Sequence, residues 1–343
     1  VIQPDFTEKK EIKKMNSTPS SLTVAVIQHP PVFMNSVESL KKACTLAEEA
    51  AANGANLIVF PETWIPGYPV WLDFSPHAAL WDYPPAKALY RVLVKNSVTI
   101  PGDCLTPLFD TAHKTGTSIV MGVHELVGST LYNTMIFIDK TGEFQLHRKL
   151  MPTYSERMIW GRGDGSTLDV LKTEYGNLGG LICWEHWMPL ARAALHAHHE
   201  TLHVAQWPMV KELHHIASRH YAFEGQCFVI AAGCCLRRGE IIDGFNSLDQ
   251  PDKKALELLE AIPGKEKDFI LQGGSAVIAP DTDYVSPPLY NKPCIVYADI
   301  HLDLIVEGHL FLDTTGHYAR PDVFHLTVND QPQLNVSFHP HRE

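Results

Sequence analysis

Leu22-Thr-Val-Ala-Val-Ile27, Asn35-Ser-Val-Glu38 and Leu57-Ile-Val-Phe-Pro-Glu62 follow one another closely, and their reading sets the fold class. The first is a short run of small and β-branched apolar residues, the pattern of a buried strand. The second places an Asn at a helix start with a Glu three residues on, as in a capping box. It opens an Ala-rich stretch running to about Asn53, where Gly54 marks a stop. The third is another apolar strand, cut off by Pro61-Glu62. Strand, helix and strand in this order imply a layered α/β fold.

The alternation continues outward. Helices are expected near Pro85–Lys95, Pro107–Thr115, Pro189–His198 and Met209–Glu224. Strands are expected at Ser118–Val123, Asn177–Cys183, Leu202–Ala205, Phe228–Ala232, Ser275–Ile278 and Ile295–Ile300. Leu131–Ile138 and Glu143–Lys149 flank Asp139-Lys-Thr-Gly142, a hairpin turn. The stretch 237–268 is polar and poorly patterned, and little periodicity follows Leu302. No internal repeat or low-complexity linker divides the chain. The expected organisation is a flexible tail over 1–21, one compact domain over 22–301, and a C-terminal extension over 302–343.

Composition narrows the class of partner. Of 343 residues, 45% are hydrophobic and 20% charged, a globular profile. The net charge of −11 leaves nothing to offset phosphate repulsion, which argues against nucleic acid and anionic membrane. No apolar run approaches the roughly 18 residues of a bilayer span. Residues 1–21 show no apolar signal-peptide core, and the seven cysteines are scattered and odd in number, so reduced thiols in a cytoplasmic setting are expected.

Chemistry-bearing residues stand at three strand ends. Glu62 follows Leu-Ile-Val-Phe-Pro, Lys149 closes a hairpin strand, and Cys183 follows Gly-Gly-Leu-Ile. Ligands of open α/β sheets gather beyond the carboxyl ends of strands. A thiol needs a base or a nearby cation to become a nucleophile, and these types supply both. Taken alone, each residue also has an ordinary structural reading, as packed thiol, helix-start acid or solvated lysine. Two other patterns compete. His199-Glu-Thr-Leu-His203 fits the zinc-protease pattern H-E-x-x-H, provided both histidines share one helical face. Arg162-Gly-Asp164 matches an adhesion loop, or simply a polar Gly turn.

The flanking residues favour the strand-end trio. Phe60-Pro-Glu-Thr-Trp-Ile-Pro-Gly-Tyr-Pro69, His147–Ser166 around Lys149, and Gly179-Gly-Leu-Ile-Cys-Trp-Glu-His-Trp-Met-Pro-Leu-Ala-Arg192 resemble the glutamate, lysine and cysteine motifs of the true nitrilases. Gly316-His-Tyr-Ala-Arg-Pro-Asp322 is similar to that family's C-terminal signature. The resemblance runs from about Leu22 to about Val328. The Cys-Trp-Glu-His form points to the nitrilase branch of the carbon–nitrogen hydrolases, away from amidases and carbamoylases.

This resemblance implies a four-layer αββα sandwich that pairs through its helical faces into an αββααββα dimer, with dimers extending into spirals and the C-terminal extension used in oligomer contacts. It implies that Cys183 is the nucleophile, Glu62 the general base, and Lys149 the stabiliser of charge. Glu156 orients Lys149 or assists proton transfer, and the Trp184 backbone N–H completes the oxyanion hole. Tyr68, Ser155, Trp160, Trp184 and Pro208 form the substrate pocket, with Ser155 where several relatives carry histidine. The implied reaction converts an organic nitrile and water to a carboxylic acid and ammonia, without metal or organic cofactor. A cyanide-processing or amide-hydrolysing relative is the alternative. Aromatic residues around the motifs (Trp64, Tyr68, Trp160, Trp184, Trp187, Trp207) lean toward aryl or arylaliphatic substrates.

Overall fold

A computed structural model describes residues 19–334 and 336. The tail expected over 1–21 therefore lies mostly outside the described residues. The first half of the chain contributes β1 (Ser21–Ile27), β2 (Leu57–Val59), β3 (Ser118–Val127), β4 (Thr130–Ile138) and β5 (Phe144–Arg148). The second half contributes β6 (Leu171–Thr173), β7 (Gly176–Ile182), β8 (Glu200–Gln206), β9 (Phe228–Ala232), β10 (Cys235–Arg237), β11 (Phe269–Ile278), β12 (Tyr284–Tyr290) and β13 (Ile295–His301). One sheet has the order β13-β1-β2-β3-β4-β5, and the other β10-β11-β9-β8-β7-β6 with β12 on β11. In each, a pair of parallel steps (β1-β2-β3; β7-β8-β9) is flanked by antiparallel strands. β2, β3 and β5 consequently run the same way, and their carboxyl ends share one edge.

The period of two sorts side chains between layers. Val24 and Val26 of β1, with Leu57, Val59 and Val120, join Leu202, Val204, Phe228 and Ile230 of the second sheet in one buried cluster. Ala25 and Ile27 point the other way, against the helices Ser36–Ala52 and Thr106–Thr115. Helices Pro189–His196 and Glu212–Gly225 bury Ala191, Ala194, Leu195, Ala217, Tyr221 and Ala222 on the far side of the second sheet. The molecule is thus the expected αββα sandwich. Asn35 caps its helix, its side chain accepting from the Glu38 N–H at 3.2 Å, and Gly54 leaves it at φ +91°. Glu38 turns to Lys41 instead of closing the capping box.

Three expectations need correction. The region 237–268 holds two helices, Arg238–Asn246 and Lys253–Glu260. They pack with helix Pro84–Lys95 in a second apolar cluster around Phe245, Leu258, Leu259, Leu89 and Leu93. β12 was not foreseen, because Pro287-Pro288 interrupts its pattern; it is a sheet-margin strand, where proline is tolerated. Residues 303–308 form a short helix whose Ile305 is buried in the inter-sheet cluster. Among the described residues, no helix is long and apolar enough to cross a membrane.

Candidate active site

Glu62 stands two residues beyond the helix-facing Phe60, in a turn tied across the sandwich. The Gln206 amide donates to the Phe60 carbonyl at 2.7 Å, and the Glu62 N–H reaches the Trp207 carbonyl at 3.4 Å. The turn presses against β3 at Gly122. A Cβ there would lie 2.3 Å from the Pro61 carbonyl oxygen and 2.5 Å from the Thr63 nitrogen, so only glycine fits. Lys149 directly follows β5, its N–H bonded to the Asn133 carbonyl at 2.9 Å. Cys183 directly follows β7 and adopts φ +57°, a conformation unfavourable for a residue with a Cβ. Glu156 comes from a single turn, Tyr154–Met158, and its carboxylate accepts from the Thr153 N–H at 2.6 Å.

The structure brings these four side chains together, all buried. The Lys149 ammonium donates to Glu62 Oε1 at 2.8 Å and to Glu156 Oε2 at 2.7 Å. Asn133 donates to Glu62 Oε1 at 2.7 Å, and the Tyr68 hydroxyl to Glu156 Oε1 at 2.8 Å. Glu62 Oε2 has no hydrogen-bond partner among the described residues. The Cys183 sulfur and a carboxylate oxygen from each of Glu62 and Glu156 lie within 4.8 Å of one another. Two carboxylates and a thiolate are also a cation-binding set, but here Lys149 bridges the two carboxylates.

Burial shapes the charges. It raises Glu62 to about 7, against the opposing pull of Lys149, so this carboxylate can accept a proton near neutrality. The Cys183 thiol is held well above its ordinary value by burial and by the Glu62 carboxylate, and Lys149 and the Trp184 backbone N–H act against both. Burial pulls the Lys149 ammonium down, but Glu62, Cys183 and Glu156 outweigh it and keep it charged.

A cavity of about 270 Å³ opens above the cluster. Tyr68, Ser155, Glu156, Cys183, Trp184 and Pro208 line it, with Ser155 donating to Asp73 at 2.9 Å. Trp160 stands outside the lining, packed edge-on to Tyr68 and 5.6 Å from the Lys149 ammonium. Of the six aromatic residues that leaned toward aryl substrates, only Tyr68 and Trp184 border the cavity. Trp64 and Trp207 are core residues, the latter stacked on His186 and His214. Sequence reasoning missed Phe74, Met209, Lys211, His214 and Leu271 in the wall, and Asn133 on Glu62. An Asn inside the apolar run Leu131–Ile138 was the one available hint.

The competing patterns resolve locally. His199 is exposed in a turn with φ +51°, whereas His203 is buried in β8. They share no helical face, so the zinc-protease arrangement is absent. In the Arg162-Gly-Asp164 loop, the Gly163 N–H donates to the Lys149 carbonyl at 2.8 Å, and the Asp164 carboxylate accepts from Ser166 and Gln333. That is a packed turn and not a presented adhesion tip.

A thiol, two carboxylates and an ammonium converge in this buried cluster, and residues 23–309 match the carbon–nitrogen hydrolase family. The chain belongs to that family, and within it to the nitrilase branch. It is 35% identical over 314 residues to an aliphatic nitrilase of Sinorhizobium fredii (strain HH103), covering 91% of this chain and 97% of that protein. It is 37% identical over 321 residues to nitrilase 1 of Arabidopsis thaliana, covering 93% and 90%. The crystal structure of Saccharomyces cerevisiae Nit3, a member of branch 10 of the nitrilase superfamily, shares the fold, with a TM-score of 0.62 at 17% identity over 87% of this chain and 97% of that one.

Proposed function

We propose that the protein hydrolyses an organic nitrile to the carboxylic acid and ammonia, with Cys183 as nucleophile. The observation that carries this reading is the buried cluster of Cys183, Glu62, Glu156 and Lys149 beneath a small cavity. Glu62 takes the thiol proton, and the sulfur bonds to the nitrile carbon while the nitrogen gains a proton, giving a thioimidate. Water adds to form a tetrahedral intermediate, whose developing charge faces Lys149 and the Trp184 N–H. Loss of ammonia leaves a thioester, and a second water releases the acid and returns the proton to sulfur. Glu156 holds Lys149 and is placed to pass protons. If the tetrahedral intermediate expels the thiolate instead, an amide results.

The test is ammonia release from aliphatic nitriles, aryl and arylaliphatic nitriles, cyanide and the matching amides. Nitriles are expected to turn over faster than their amides. The rate is expected to rise with pH through about 7, because protonated Glu62 cannot accept the thiol proton. Faster amide than nitrile hydrolysis would sink the reading.

The proposal extends to assembly. Leu190, Leu213, Ile216 and Phe223 are exposed on the outer face of helices Pro189–His196 and Glu212–Gly225, and the C-terminal extension exposes Phe311, Phe324 and Leu334. Apolar side chains in such number suit pairing of two copies through the helical faces, with the extension in further contacts. Sedimentation velocity is expected to show a dimer or larger species, and Ile216→Asp to shift it toward the monomer. A wild-type monomer at micromolar concentration would contradict this.

A further inference from the structure

The steps above leave unused a polar network buried behind Cys183. The Cys183–Trp184 peptide carries the Cys183 carbonyl on one side and the Trp184 N–H, directed at the sulfur, on the other. Rotating this peptide would turn the N–H away from the reacting atoms. Its carbonyl accepts from His186 Nδ1 at 2.7 Å. His186 Nε2 lies 3.0 Å from His203 Nε2, and His203 Nδ1 lies 2.9 Å from Glu200 Oε1. The Tyr221 hydroxyl donates to Glu200 Oε2. His186, His203, Glu200 and Tyr221 are all buried, and stacking of His186 on Trp207 and of His203 on Tyr221 fixes the rings.

We propose that Glu200, His203 and His186 form a one-directional hydrogen-bond chain that clamps the Cys183–Trp184 peptide with its N–H facing the oxyanion. They are positioning residues, and the inference rests on Cys183 being the nucleophile. The direction follows from counting protons. A carbonyl has none to give, so His186 Nδ1 donates and its Nε2 accepts. His203 must then donate from Nε2, which leaves its Nδ1 facing Glu200 without a proton of its own. The Glu200–His203 contact therefore holds one further proton between oxygen and nitrogen. If that proton is lost, His203 turns its remaining proton to Glu200 and His186 loses its donor. Restoring that bond strips the proton from His186 Nδ1, and the clamp on the carbonyl becomes a repulsion.

The surroundings agree with this order. Burial raises Glu200 to about 7, and burial lowers both imidazoles, His186 to about 3. Around Glu200 stand His196, with Nδ1 at 4.0 Å, Tyr221, His147, His198 and Cys227. Around His186 stand Glu185 and Arg192, and Arg192 and His196 are both paired with Glu224. The clamp is intact below the Glu200 titration and loosens as pH rises through it.

The test compares wild type, Glu200→Gln and His203→Phe. Ammonia release from 3-phenylpropionitrile gives kcat and KM. A second probe, 3-phenylpropanal, does not depend on nitrile chemistry. Cys183 sulfur bonds to its carbonyl carbon, and the carbonyl oxygen takes up the thiol proton at the oxyanion position. Its binding is read as protection of Cys183 from iodoacetamide, located by mass spectrometry. A glutamine amide donates to His203 and accepts from Tyr221 but cannot titrate. Glu200→Gln is therefore expected to keep kcat within about threefold near neutral pH and to lose the alkaline decline that the loosening clamp imposes on wild-type kcat beyond the rise set by Glu62. His203→Phe is expected to lower kcat by about tenfold or more with KM within about twofold, and to weaken the aldehyde by a similar factor.

Wild-type kcat and aldehyde affinity in His203→Phe would overturn the clamp, as would a Glu200→Gln protein as impaired as His203→Phe. If His203→Phe does not fold, the Glu200→Gln profile decides, and an unchanged alkaline decline overturns the proposal. A wild type that binds the aldehyde but releases no ammonia from any nitrile defeats the functional reading alone, and the aldehyde arm still judges the clamp. A wild type whose Cys183 the aldehyde does not protect defeats the clamp.

Discussion

Lys149→Ala is expected to abolish ammonia release and to destabilise the fold, the second effect growing with pH. The ammonium bonds both buried carboxylates, and removing it leaves Glu62 and Glu156 facing each other and Cys183 without a counter-charge. Breaking a buried ion pair by deleting one partner costs about 3–5 kcal/mol. Burial already raises Glu62 to about 7 with Lys149 present, and losing Lys149 raises it further. The folded variant then holds protons that the unfolded chain releases above its ordinary value of 4.5. Folded wild type holds the Glu62 proton equally below about 7, so the variant's added deficit is small there, opens as pH rises through about 7, and is complete above the variant's own higher folded-state titration. Thermal melts at both ends of that range measure the gap against wild type. A pH-independent gap would show that packing, and not charge, is what Lys149 supplies, and measurable turnover would remove it from the mechanism.

Cys183→Ala is expected to lower turnover by about a thousandfold or more while leaving the melting temperature close to that of wild type. The cost of φ +57° is the same for alanine, and Lys149 stays paired with both carboxylates. Stability and activity should thus separate at this position, whereas they fall together at Lys149. Iodoacetamide inactivation supplies the companion measurement, provided that it is mapped. Cys104 is exposed and is expected to react without consequence, while nitrile is expected to protect only Cys183. Retained turnover in purified Cys183→Ala would end the proposed mechanism.

The inner strands of both sheets were legible in the sequence because they carry apolar runs ended by Pro, Gly or a polar residue, whereas the marginal strands β6, β10 and β12 are short or interrupted and were not. Most inner strands fell within a few residues of expectation. The helices of 237–268 were not legible for local reasons. Arg238–Asn246 contains Gly239 and Gly244, and Lys253–Glu260 is only eight residues long and buries just Ala255, Leu258 and Leu259. Neither makes a long enough stripe to stand out, and both are helical because they close over Phe33, Leu89 and Leu93. At the site, the four charged or nucleophilic residues were readable from strand ends and motif flanks. Their supports were not. Gly122 looks like an ordinary strand residue and Asn133 only interrupts an apolar run, and the importance of both comes from Glu62 lying across them. Nothing local in Trp207-Pro-Met-Val-Lys-Glu-Leu-His214 announces a cavity wall, because the fold alone carries that segment beside Cys183.

The reactive atoms and the cavity wall have different kinds of backing. Glu62, Lys149 and Cys183 hang from strands braced by an entire sheet, and two of them stand on one sheet with the third on the other. Asp73, Phe74, Tyr154, Ser155, Met209 and Lys211 belong to connecting segments and short turns that brace little else. Selection can therefore redraw the outline of the chamber one connector at a time while the chemistry stays anchored. The reverse does not hold, because a shift of either sheet would carry sulfur away from its base. Inheritance within such a lineage should be conservative in reaction and inventive in substrate.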